Sequence, residues 1–235
     1  ILIFCTALPQ WVGAQTDGDT PAGSATAQLT AYKRAISYPE YLAQHREITR
    51  PDREIVIPAE ALSNLNAEIE LLEDYEGMPG KSVLTGERGF VEWEVEIEEA
   101  GFYNIEITYY PVTGRSTPIQ RAVSINGARP FSEASYLILH RTWGDAGPIE
   151  VDIYGNQLRP RQVEKPRWRS EVLSDPTGYE NLPFLFYFNE GTNTIRLEAV
   201  SEAVIIHSLR LFQYEAPKPY AEVRQAYDEA GYKPT

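Results

Sequence analysis

The chain has 235 residues, 43% of them hydrophobic, and a formal net charge of −13. That is enough apolar material for one large all-β core or two small ones, which excludes a disordered tail. The acidic balance reads as solubility and argues against nucleic acid and anionic membrane surfaces as partners, since both demand clustered Lys and Arg.

Residues 1–8 form an apolar run, and Val12-Gly13-Ala14 supplies small residues at the spacing a signal peptidase requires. Residues 1–14 therefore read as the remnant of a signal peptide cleaved after Ala14, which predicts a secreted, extracellular or cell-surface protein with no membrane insertion of the mature domain. The run is too short to span a bilayer. Phe4, directly before Cys5, is too large for a lipidation motif, and loss of this sole cysteine would leave the mature chain without a thiol or disulfide. Residues 15–27, rich in Gly, Ser, Thr, Asp and Ala, read as a flexible linker. Residues 28–50 carry Tyr32, Ile36, Tyr41 and Leu42 at roughly helical spacing, interrupted by Pro39, and predict a short helical segment.

From 51 to 216 the apolar period changes from helix to strand. In 90–98, Val91, Trp93, Val95 and Ile97 alternate with Glu92, Glu94, Glu96 and Glu98, which places Trp93 in a core and the glutamates in a uniform solvated row. After the turn at Ala100-Gly101, Tyr103, Ile105, Ile107 and Tyr109 alternate with Asn104, Glu106, Thr108 and Tyr110, and this run reads as the hairpin partner of 90–98. Further strands are expected at 54–57, 67–73, 121–125, 135–141, 184–188, 194–200 and 204–212, with turns at Asn126-Gly127 and Glu190-Gly191. Many short strands without alternating long helices describe an all-β antiparallel sandwich with short N- and C-terminal helices, not a parallel α/β enzyme fold. Between 143 and 178 the alternation fails in a polar stretch rich in Arg and Pro that also holds Trp168, which predicts a long ordered excursion from the sheet. In 217–235, Pro217 and Pro219 break the last strand, and 220–232 reads as a short amphipathic helix leading towards a downstream domain.

Sugars are held by flat aromatic faces and by polar forks to neighbouring hydroxyls. Two clusters carry those residue types: Tyr110 with Arg115 in the loop just after it, and Trp143, Tyr154, Asn156, Arg159, Gln162 and Trp168 in the excursion. The competing reading makes the tryptophans plugs that fix the loop to the sandwich. No nucleophile elbow, zinc spacing or phosphate loop is present, and among 34 acids carboxylate pairs arise by chance, so no catalysis is expected.

The order Phe90-Val91-Glu92-Trp93-Glu94-Val95, Ala100-Gly101-Phe102-Tyr103, Val123-Ser124-Ile125-Asn126-Gly127 and Asn189-Glu190-Gly191-Thr192-Asn193-Thr194-Ile195 resembles the family 6 and 35 carbohydrate-binding modules. That resemblance implies a galactose-binding-like jelly roll. A second one runs from Tyr38-Pro39-Glu40-Tyr41-Leu42 through Asp145-Ala146-Gly147-Pro148-Ile149, Arg159-Pro160-Arg161-Gln162 and Ser174-Asp175 to the final helix. It is similar to the N-terminal accessory region of large extracellular solute-binding proteins of carbohydrate ABC transporters in Gram-positive bacteria, in which further β modules and a periplasmic-binding-protein-like domain follow. The implied function is a non-catalytic carbohydrate-binding domain whose partners are a glycan, downstream domains of the same polypeptide and a transporter. The alternatives are a structural spacer without ligand and an accessory domain of a glycoside hydrolase.

Related modules hold a structural calcium with acids from the first strand and an Asp in the last. Here Val204-Ile205-Ile206-His207-Ser208-Leu209 puts His207 where that Asp is expected, and imidazole is a poor calcium ligand. His207 shares phase with Ile205 and Leu209 and reads as a hydrogen-bonded core histidine. Glu54, Glu60 and Glu73 are left as candidate calcium ligands, each reading better as a solvated acid, so no cofactor is expected.

Overall fold

The computed structural model describes residues 36–232; the expected signal remnant and linker lie outside the described residues. The first element among the described residues is helix α1, Tyr38–Gln44. It is set by a capping box: the Ser37 hydroxyl accepts the Glu40 N–H, and the Glu40 carboxylate accepts the Ser37 N–H at 2.9 Å. Pro39, read as an interruption, sits in the first turn, where a missing N–H breaks no helical bond; it starts the helix instead of dividing it. Tyr38 and Tyr41 turn inward, and their hydroxyls accept the backbone N–H groups of Leu185 (3.0 Å) and Tyr187 (2.7 Å). These bonds satisfy donors along a strand edge that would otherwise lie open.

Sixteen strands follow among the described residues. One sheet contains β3 (Ile69–Glu73), β4 (Lys81–Thr85), β16 (Val204–Phe212), β6 (Gly101–Pro111) and β13 (Arg169–Val172), with β1 (Ile55–Pro58) also on β16 and β14 (Phe186–Phe188) also on β6. The other runs β2 (Leu62–Leu65), β5 (Phe90–Ile97), β15 (Gly191–Ser201), β7 (Ile119–Ile125) and β8 (Leu137–Leu139). Every pairing is antiparallel, and side chains of both sheets meet in one hydrophobic core. The protein is an all-β antiparallel sandwich.

Trp93 is fully buried in that core, its indole N–H donating to the Ala59 carbonyl at 2.9 Å. β5 and β6 are not hairpin partners: β5 pairs with β2 and β15, whereas β6 pairs with β13, β14 and β16. Alternation reports which face of a strand is buried, and a strand facing its predecessor across the core alternates like one lying beside it. Nor is the glutamate row uniform, because Glu92 is buried against Arg196 (2.8 Å) and Asn64 (3.3 Å). β2 and β4 went unread; β4 buries Ser82 and Thr85, polar residues that hide its period.

The excursion is shorter than the sequence suggests. It leaves at β9 (Trp143–Asp145), which pairs with β12 (Gln162–Glu164) in a ribbon, and between them lies a smaller ribbon of β10 (Glu150–Val151) and β11 (Gln157–Leu158). At β13 the chain rejoins the sheet, Arg169 opposite Tyr109. The last strand, β16, carries a register shift between Ile206 and Ser208. This bulge overturns the reading of His207 as a core residue in phase with Ile205 and Leu209: Leu209 lies opposite the core residue Ile107, Ile205 opposite the outward Tyr110, and His207 is half-buried. Helix α2, Tyr220–Glu229, follows Pro219 and buries no residue.

Candidate functional site

The structure separates the expected sugar-binding residues into three places. The first is the arm between β9 and β12. Trp143, in β9, is 47% exposed, and Tyr154, at the tip of the β10–β11 ribbon, is 82% exposed. Asn156 shapes that tip: its Nδ2 donates to the Asp152 carboxylate at 2.9 Å, alongside the backbone N–H groups of Asn156 and Tyr154, both at 2.8 Å. Foremost the Asn156 side-chain bond, then its backbone bond, hold the Asp152 carboxyl below the usual range. Gly155, at φ +83°, supplies the left-handed residue this turn requires. Gln162 is tied across the ribbon to Asp145, its register partner. Arg159 lines a cavity of about 450 Å³ with Arg161, Glu150, Leu158, Pro148 and Pro160, and neither arginine makes an ion pair among the described residues.

The second place is the outer face of the seven-stranded sheet. Here Tyr110 and Trp168, which the sequence put in different clusters, come together with ring centres 5.5 Å apart. Trp168 also meets the His207 ring at 5.8 Å and donates its indole N–H to the Tyr75 carbonyl at 3.0 Å, while Tyr75 stands edge-on to Tyr110 at 5.3 Å. His207 Nδ1 lies 3.1 Å from the Ser82 hydroxyl. Beneath this cluster Ile205 is 2% exposed although it faces away from the core.

The third place is an ionic knot that takes Arg115 away from Tyr110. Arg115 Nε bonds Glu202 Oε1 at 3.0 Å and its Nη2 bonds Glu87 at 2.9 Å. Glu202 also accepts the Thr117 hydroxyl (2.7 Å) and Arg141 Nη2 (3.0 Å), and Arg141 in turn holds Glu164 at 3.0 Å. The Thr117 hydrogen bond first, and against the opposing effect of burial those of Arg115, keep the Glu202 carboxyl below its ordinary value. A Cβ at Gly114 would collide with this carboxylate, so the loop passes close only as glycine. Of the candidate calcium ligands, Glu54 pairs with Arg210 at 3.4 Å, and Glu60 and Glu73 are exposed; no group of three or more His, Cys, Asp or Glu side chains converges among the described residues.

No protein-family model matches the chain, and no curated protein matches it. Solved structures of similar shape include a family 35 carbohydrate-binding module from Clostridium thermocellum, at 16% identity and TM-score 0.40, covering 69% of this chain and 99% of that one. Another is the C-terminal family 6 module of a marine laminarinase from Zobellia galactanivorans, at 12% identity and TM-score 0.41, covering 68% and 100%. A β-(1,4)-mannanase of Podospora anserina with a family 35 module matches at 15% identity and TM-score 0.42, covering 72% of this chain and 29% of that one. At such identities and scores they carry no site residue onto this chain.

Proposed function

We propose that the domain is a non-catalytic extracellular carbohydrate-binding module, the accessory part of a solute-binding protein linked to a carbohydrate ABC transporter, and that its glycan surface is the arm between β9 and β12. The observation that carries this reading is one short arm that bears an open cavity lined by unpaired Arg159 together with the exposed rings of Trp143 and Tyr154, on paired ribbons from which the chain rejoins the sandwich at β13. Trp143 and Tyr154 act as platforms and Arg159 as the polar fork. Asn156 and Gln162 position the ribbons. Tyr110, Arg115 and Trp168 hold the sandwich and its loops in place. The spacer reading draws on the same anchored Trp168, and it prevails if the arm binds nothing.

Catalysis is disfavoured by the local carboxylates. Asp145 is bonded to Gln162, Asp152 closes a turn and Glu164 is paired with Arg141, leaving Glu150 alone on the cavity wall, whereas both glycosidase mechanisms use two. Calcium plays no part in this reading, because His207 is engaged with Ser82 and Trp168 rather than with a carboxylate.

A glycan-array screen followed by titration tests the proposal. Trp143→Ala is expected to weaken the best glycan by about 1 kcal/mol, the scale of one aromatic contact, and to quench the fluorescence change on binding. Because Trp143 is 47% exposed and its indole N–H has no partner among the described residues, stability in urea should change by no more than about 1 kcal/mol. Unchanged affinity in the variant would remove Trp143 from the site.

A further inference from the structure

A second cavity, of about 320 Å³, lies between the N-terminal segment that carries α1 and the loop 179–185, and its walls combine two opposite charges with apolar surface. Arg50 is fixed there by Nη2, which donates to Asn104 Oδ1 at 3.0 Å and to the Tyr214 carbonyl at 3.1 Å. Those bonds leave its Nε and Nη1 without an acceptor among the described residues. Glu180, half-buried, has its backbone N–H bonded to Asp175, while its own carboxylate has no hydrogen-bond or ion-pair partner among the described residues. Arg50 and Glu180 thus line one cavity without pairing with each other.

Tyr38 lines the same cavity and is 3% exposed; its hydroxyl accepts the Leu185 N–H, so its own proton remains to be donated. Burial, above all, pushes its pKa up to about 12, the Leu185 bond lowers it, and the Glu180 and Arg50 charges act on it with opposite sign. Both charges are therefore felt at one phenol. Leu42, Leu182 and Pro183 add apolar surface to the wall, to which Asn104, Tyr179, Asn181 and Tyr214 also contribute.

The geometry points to a small zwitterionic ligand with an apolar body, an α-amino acid such as leucine, its carboxylate on Arg50, its ammonium on Glu180 and its side chain on the apolar wall. A simple anion would leave Glu180 opposing it, and a simple cation would face Arg50. A neutral polyol can hydrogen-bond to both groups but offers nothing apolar to Leu42, Leu182 and Pro183. The cavity is at the small end of the range for ligand pockets, which suits a single residue and not a polymer. This site is separate from the arm and does not rest on the glycan reading.

Calorimetric titration of the full chain with L-leucine, L-leucinamide, N-acetyl-L-leucine and glucose tests it. L-leucine is expected to saturate the protein, and removal of either ligand charge should weaken binding by about tenfold or more, the loss of one charge-assisted hydrogen bond. Glu180→Gln, whose side chain holds nothing in the fold, should weaken leucine to the same extent at an unchanged melting temperature, whereas Trp143→Ala should bind leucine like the parent. The proposal is overturned if leucine fails to saturate by roughly 10 mM, if glucose binds as well as leucine, or if Glu180→Gln binds leucine undiminished.

Discussion

Replacing Glu202 by Gln is expected to destabilise the fold by about 3 kcal/mol, more than any sugar-surface change should. Glu202 closes the turn between β15 and β16 at φ +61°, with a side chain 2% exposed. Its two oxygens accept from Thr117, Arg115 and Arg141, and Arg141, 3% exposed, also binds the carbonyls of Thr117 (2.8 Å) and Val112 (2.6 Å). An amide in this place keeps one acceptor and turns the other end into a donor facing a guanidinium. The effect lies at the low end for breaking a buried pair because Arg115, 65% exposed, lets solvent screen part of the attraction. Urea unfolding measures it directly.

The same carboxylate gives the pH dependence its sign. The folded pKa of Glu202 is below its ordinary value of 4.5, so its contribution is complete above that value and is lost as pH falls through the depressed folded one. The melting temperature of Glu202→Gln should therefore fall less steeply than the parent's as pH drops below about 4.5. Parallel acid profiles would show that Glu202 is not the titrating group.

Trp168→Ala is expected to cost about 3 kcal/mol of stability, the lower part of the range for aromatic-to-alanine changes because the ring is half-buried. The indole shields Tyr110 and His207 on the outer face of the sheet and ties the returning chain to the Tyr75 carbonyl. Trp168→Phe keeps most of the packing and loses the hydrogen bond, so about 1 kcal/mol should be lost. Urea midpoints of the two variants separate these contributions. An unchanged midpoint for Trp168→Ala, together with lost glycan affinity, would instead make Trp168 a ligand platform.

The sandwich was legible because the alternation around Trp93 and Tyr109 has a direct physical meaning, one face in the core and one outside it. What alternation cannot carry is the partner of a strand, which is why β5 and β6 looked adjacent while lying in opposite sheets. His207 was misread for a related reason: a bulge changes phase by one residue and leaves no mark in the composition of Ile205 to Leu209. The excursion was visible as a failure of period, yet β13, where the chain rejoins the sheet, was not, since an edge strand of Arg169, Ser170, Glu171 and Val172 has little apolar face to show. Asn156 could have been read more closely, because Asp152 two to four residues before Tyr154, Gly155 and Asn156 is the pattern of a side-chain-closed turn. The cavity between Arg50 and Glu180 had no sequence signal, for its walls come from the N-terminal segment, β6, the loop 179–185 and the stretch after β16, which meet only in the folded chain.

The most direct test of the arm as the glycan surface is to remove it. β9 and β12 pair with Gln162 opposite Asp145, so residues 146–161 can be replaced by Asn-Gly, a two-residue turn suited to an antiparallel ribbon. Glycan affinity and urea stability are then measured on the same protein. The shortened chain is expected to unfold at the parent's midpoint and to have lost its glycan binding. Undiminished binding by the shortened chain would contradict the arm's assignment.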